Sequence, residues 1–174
     1  MRATDLLMEE HLLIERGLRT LLALAERGRP GPEIASVLLF LSEFADGHHH
    51  AKEENILFPA MEEAGFPRDD GPVAVMLQEH DLGRSLIARM RELAPLETDA
   101  ARAGFRDAAK QYVELLGQHI SKENNVLFRM ADNAIQGPER RQVEEDFDTY
   151  ESGAQAVRSK HEKELEKVAS SVGT

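Results

Sequence analysis

The sequence predicts an all-α fold: an up-down-up-down four-helix bundle with an additional C-terminal helical segment. Three observations point there. Apolar residues recur at steps of three and four through long stretches rich in Ala, Leu, Glu, Arg and Met, all good helix formers. Gly and Pro gather between those stretches, at 28–32, 65–72, 95–99 and 137–138, where they break helices. No stretch alternates as a strand would, and no Asn-Gly or Asp-Gly pair joins two β-branched runs.

The first helix is expected over about 3–27, with Leu7, Ile14, Leu18 and Leu21 on one face. The second covers about 33–63, with Leu38, Leu41, Ala45 and Ile56 inward and Pro59 expected to kink or end it within a turn. The third covers about 72–94 on Val73, Met76, Ile87 and Met90. The fourth covers about 99–134 on Tyr112, Leu116, Val126 and Met130. Short connections between long amphipathic helices make antiparallel neighbours. A further stripe, Val143, Phe147, Tyr150, Ala154, Val157, Leu165 and Val168, runs through the C-terminal segment, with Gly153 as an expected break or kink. The whole chain reads as a single domain, with 1–134 forming the bundle and 138–170 a helix or helix pair docked on it.

Composition narrows the function. The chain has 174 residues, of which 32 are acidic and 21 basic, for a net charge of −11. An acidic surface repels phosphate, so nucleic acid and anionic membranes are not the expected partners. There is no cysteine, which removes disulfides, thiolate zinc sites, iron–sulfur clusters and cysteine nucleophiles together. That composition, with no signal peptide and no long apolar span, fits a cytoplasmic protein.

The seven His are not scattered. The segment from His49 to Phe58 (HHAKEENILF) matches the segment from His119 to Phe128 (HISKENNVLF) 70 residues on, and Glu10-His11 is answered by Glu79-His80. Each half is therefore a helical hairpin with a His on its first helix and His-x-x-x-Glu on its second. A step of four turns about 400° along a helix, so His49 and Glu53 share a face, as do His119 and Glu123. In each case that face is the apolar stripe. Six polar groups, His11, His49, Glu53, His80, His119 and Glu123, then converge inside the bundle. A single His there would read as a hydrogen-bonded core residue, and a single His-x-x-x-Glu as an exposed ion pair. Recurrence in both halves on the buried face argues against both, because buried carboxylates need partners. Nitrogen-rich donors suit iron, manganese or zinc rather than magnesium or calcium. Six donors exceed a four-coordinate zinc site and fit two ions bridged by the two Glu.

This order, His, His-x-x-x-Glu, His, His-x-x-x-Glu, resembles the hemerythrin-like HHE cation-binding family over about residues 4–134. The resemblance implies a non-haem di-iron site that binds oxygen reversibly or handles peroxide, oxygen or nitric oxide. By the resemblance the six residues are the ligands and Glu53 and Glu123 the bridges. One departure stands out. Oxygen-carrying members have a second His one turn from the third-helix His, whereas Arg84 follows His80 by four and Met76 precedes it by four. His161, on the C-terminal stripe, is the candidate for the missing imidazole, with Tyr150 as its competitor.

The neighbours are assigned more plainly. His48 and His50 are expected to be solvated or to support the ligands, since the stripe through His50 passes Glu43 and Asp46; His50 with Glu54 has the same spacing as His49 with Glu53. Glu10 and Glu79 point about 100° from the ligands and are expected in water. Met76, Met90, Met130 and Tyr112 are expected as core. Gly83, one turn after His80, is either a simple helix defect or room for a small ligand. Three functions follow: a protein that binds or senses dioxygen, peroxide or nitric oxide; an enzyme acting on peroxide or nitric oxide; or a metal store. The sequence does not separate carrier from enzyme, and it names no protein partner.

Overall fold

The computed structural model describes residues 1–27 and 31–173. Of the first predicted break, Gly28, Arg29 and Pro30 lie outside the described residues. Five helical stretches account for almost all of the rest: α1 (Ala3–Glu26), α2 (32–63), α3 (Gly71–Leu93), α4 (99–134) and α5 (Gly137–Val172). Local chemistry marks their starts. Pro stands in the first turn of α2, α3 and α5, where its missing N–H costs nothing. The Thr98 hydroxyl accepts from the Ala101 N–H to cap α4.

The protein is all-helical, and the helices form a bundle. α1 packs on α2 and α4, α3 packs on the same two, and α5 lies across α1 and α2. The core forms two apolar clusters, one built on Leu18, Leu21, Phe40, Phe44, Met90 and Leu116 and the other on Leu7, Leu57, Phe58, Met61, Val73 and Phe128. Among the described residues no helix is long and apolar enough to cross a membrane.

Three expectations are corrected by the helical phase. First, α2 and α4 are not α-helical throughout. Leu41–His50 and Glu53–Leu57 in α2, and Glu123–Leu127 in α4, are π-helical. An i→i+5 turn adds a residue per turn and advances the inward face. Hence Leu57 and Phe58, and Leu127 and Phe128, face inward, while Ile56 is half-buried and Val126 is 52 % exposed. Pro59 does not cause this, because the same π turn occurs in α4, where Arg129 holds the equivalent place; α2 ends at Glu63, about one turn past Pro59.

Second, α5 runs unbroken through Gly153. Third, its inward stripe is Phe147, Glu151, Ala154, Arg158, His161, Leu165 and Val168. Val157 is 46 % exposed, so the middle of the helix presents charge to the bundle rather than apolar surface.

Candidate metal centre

The structure brings the six residues of the repeat together and buries all of them. Glu53 and Glu123 sit on the two short π turns, where the wider helix lets each carboxylate stand one turn past its own His. Glu53 turns Oε1 toward His49 Nε2 (3.5 Å) and Oε2 toward His80 Nε2 (3.4 Å). Glu123 turns Oε1 toward His119 Nε2 (3.2 Å) and Oε2 toward His11 Nε2 (3.2 Å). Both carboxylates therefore span the same two groups of donors. One group is His11, His49, Glu53 and Glu123; the other is His50, Glu53, His80 and His119.

His50 is the residue that sequence reasoning misplaced. It is buried, its ring stacks on that of His80 at 3.8 Å, and it joins the second group. The three successive His of α2 are buried by different neighbours: His48 by Glu10 and Glu151, His49 by Glu10 and Glu53, and His50 by His80. A signal was present: in the repeat, position 50 aligns with Ile120, a core residue.

His161 is also buried, but it belongs to neither group. Its Nε2 lies 3.2 Å from Glu43 and its ring edge meets Phe40. The C-terminal helix thus brings no imidazole to either group, and the fifth imidazole of the two groups is that of His50 in α2. The apolar stripe that carries His161 docks it near the start of the π segment instead of beside the carboxylates. Tyr150 is likewise elsewhere, its hydroxyl donating to the Gly47 carbonyl.

Every imidazole of the two groups has its Nδ1 held by an oxygen. His49 pairs with Glu10 (2.8 Å), His119 with Glu79 (3.0 Å), His80 with Glu54 (2.7 Å), His11 with Asn124 (2.8 Å) and His50 with Asp46 (3.3 Å). Such partners fix the tautomer with Nε2 free and turned inward. Glu10 and Glu79 are thus not solvated surface residues but hold the Nδ1 atoms of His49 and His119. Phe58 stacks on His80 and Phe128 on His11, so the repeat extends to the ring packing. Arg84 donates to both Asp46 and Glu54, and so braces the partners of His50 and His80.

A cation fits this donor set. His11 Nε2, His49 Nε2 and all four oxygens of Glu53 and Glu123 are buried with no hydrogen-bond partner among the described residues. Orphaned buried carboxylate oxygens are costly unless something positive meets them. Donors sharing one ion at about 2.1 Å and at right angles stand about 3 Å apart, close to the separations seen here.

The electrostatics agree. Burial works against charge on His119, yet Glu123 and the bond to Glu79 hold its pKa up to about 10. His11 and His80 are raised in the same way, by Glu123 and Glu53 respectively, against burial. Burial and the neighbouring His80 push His50 well down. Glu54, bonded by His80 and Arg84, is lowered to about 2.

Without metal His119 keeps a proton at pH 7 that a cation must displace. Loading at pH 7 should accordingly release protons, measurable with an indicator dye in weak buffer; no release would mean neutral imidazoles. The sign for stability follows from linkage. His119 is raised above its unfolded value of about 6.5, so its contribution to the metal-free protein is complete below that pH. It is lost as pH climbs through about 10.

A cavity of about 160 Å³ opens beside the second group, with His50, His80, Gly83, Arg84 and Tyr112 in its wall. A Cβ at Gly83 would meet Leu116 and Tyr112 at an ordinary 3.5 Å, so the glycine is not forced by packing. Its bareness leaves the cavity open.

Comparison with known proteins agrees with this geometry. The family model for the hemerythrin HHE cation binding domain matches residues 2–131. Among curated proteins, the iron-sulfur cluster repair protein YtfE of Salmonella paratyphi B, Salmonella newport and Salmonella heidelberg is 33 % identical over 88 residues. The match covers 48 % of this chain and 40 % of each relative. The chain thus spans well under half the length of the curated relatives it matches. No solved structure matches it. The matched span contains both hairpins and every donor of the two groups, and the chain belongs to the hemerythrin HHE cation-binding domain family.

Proposed function

We propose that the chain is a non-haem di-iron protein that binds or senses a small oxidant: dioxygen, hydrogen peroxide or nitric oxide. One observation carries the reading. Glu53 and Glu123 each offer one oxygen to each of two imidazole groups, and none of those oxygens has a hydrogen-bond partner among the described residues. Two ions sharing both carboxylates use every donor, one with His11 and His49 and the other with His50, His80 and His119. Iron suits a mixed imidazole and carboxylate set, and manganese or zinc are the other cations these donors admit.

Iron held there supplies one-electron redox chemistry and affinity for the small molecules named. The chain's own residues do the rest. Glu10, Asp46, Glu54, Glu79 and Asn124 set the imidazole tautomers. Phe58 and Phe128 keep water from the ring faces. The cavity at Gly83 has room for a ligand of a few atoms and little more. Short connections support the up-down-up-down order within a single domain, and the lack of cysteine supports a reducing, cytoplasmic setting.

The curated relatives favour a second reading, in which iron leaves this site to serve iron–sulfur cluster repair. With no cysteine in the chain, iron would then move as the ion. Metal analysis of aerobically purified protein decides first. The expected result is two irons per chain, with a visible spectrum that changes on adding oxygen or peroxide. One tetrahedral zinc per chain would overturn the proposal. Sustained peroxide turnover would make the protein an enzyme, and rapid iron transfer to a cluster-free acceptor would favour the second reading.

A further inference from the structure

Two Lys–Glu–His chains occupy equivalent places in the repeat. Lys52 Nζ donates to Glu10 Oε1, and Glu10 Oε2 accepts from His49 Nδ1. Lys122 Nζ donates to Glu79 Oε1, and Glu79 Oε2 accepts from His119 Nδ1. The oxygens are divided in the same way, but the surroundings differ. The Lys122 side chain is 41 % exposed, whereas that of Lys52 is fully buried.

What closes over Lys52 is α5. Glu151 accepts from Lys52, His48 Nε2 lies 3.1 Å from both Glu10 and Glu151, and Arg158 reaches Glu151 at 3.4 Å. The rings of Phe147 and Tyr150 stand within 6 Å of the ammonium. This is where the inward stripe of α5 turns from apolar to charged.

A lysine sealed away from water must satisfy its charge on the groups around it, here the Glu10 and Glu151 carboxylates and the His48 ring nitrogen at 3.3 Å. With α5 docked, Lys52 holds Glu10 in one place, and Glu10 holds His49. With α5 lifted, water reaches both groups and that restraint relaxes. In the Glu79 chain Lys122 already meets water, so that chain has no such dependence.

We propose that Lys52 and Glu151 are positioning residues for the two-imidazole half of the centre, and that they link docking of α5 to retention of the ion held by His11 and His49. The proposal rests on the di-iron reading. The ion of the three-imidazole half is independent of α5. Linkage is reciprocal, so loading the site must favour docked α5 by the same factor.

Two measurements test this. The first is amide hydrogen exchange of α5 around Phe147 to His161 in the metal-free and iron-loaded protein. Loading should slow exchange there by about tenfold, the scale on which partners of ligand residues alter metal affinity. The second is iron release to a chelator from the wild type and from Glu151→Gln, with Lys52→Met as the second variant. One iron should leave about tenfold faster and the other at its wild-type rate.

Unequal release cannot come from general destabilisation, which would speed both. A wild type that holds two irons while α5 exchange ignores them overturns the proposal alone, as does equal acceleration of both irons or of neither. A wild type holding fewer than two irons overturns the di-iron reading and takes the proposal with it.

Discussion

Glu53→Ala should strip the protein of both metal ions, and Glu123→Ala should do the same. Each carboxylate presents one oxygen to each donor group, so its removal takes a donor from both ions and leaves them facing each other with less negative charge between them. A terminal ligand acts on one ion only, and His11→Ala should reduce the metal content by about half. A variant that holds no metal gains no stability from loading. The gap in melting temperature between loaded and metal-free protein should therefore collapse in the variant. Metal analysis with paired thermal melts checks both halves of this expectation. Full occupancy in Glu53→Ala with loss in Glu54→Ala would shift the ligand register by one residue.

Removing the metal from the intact chain should lower its melting temperature steeply. A ligand that binds the folded state alone stabilises it by about 4 kcal/mol at a thousand times its Kd, and for a chain of this length each kcal/mol moves the midpoint by about 2–4 °C. A single tight ion is then worth about 10 °C, and a pair more. The metal-free centre also keeps two inward carboxylates and five imidazoles packed together. Calorimetry before and after exhaustive chelation gives the difference directly. Coincident transitions would mean that these donors do not hold metal in the folded protein.

Helix content, the breaks between helices and the six donors of the repeat were legible in the sequence, because each depends on local period or on a spacing of four. Leu7, Ile14 and Leu21, or Met76 and Met90, lie where a simple 3.6-residue pattern puts them. The doubling of His-x-x-x-Glu was readable for the same reason, since two residues one turn apart on an apolar face are adjacent whatever the rest of the chain does.

Tertiary structure alone decided the rest. His50 is buried because His80 of α3 packs against its ring, and α2 and α4 change helical phase at their π segments. The same change of phase moved Val126 out and Phe128 in. Glu10 and Glu79 read as surface residues because each stands 100° from a ligand on its own helix. They are held instead by a Lys and a His of the helix packed alongside. His161 had the right stripe and the right chemistry, but a stripe gives a direction about one helix axis and not the neighbour it meets. That neighbour is Glu43. A sequence records which groups share a face; only the packing of one helix against another records which groups share a charge.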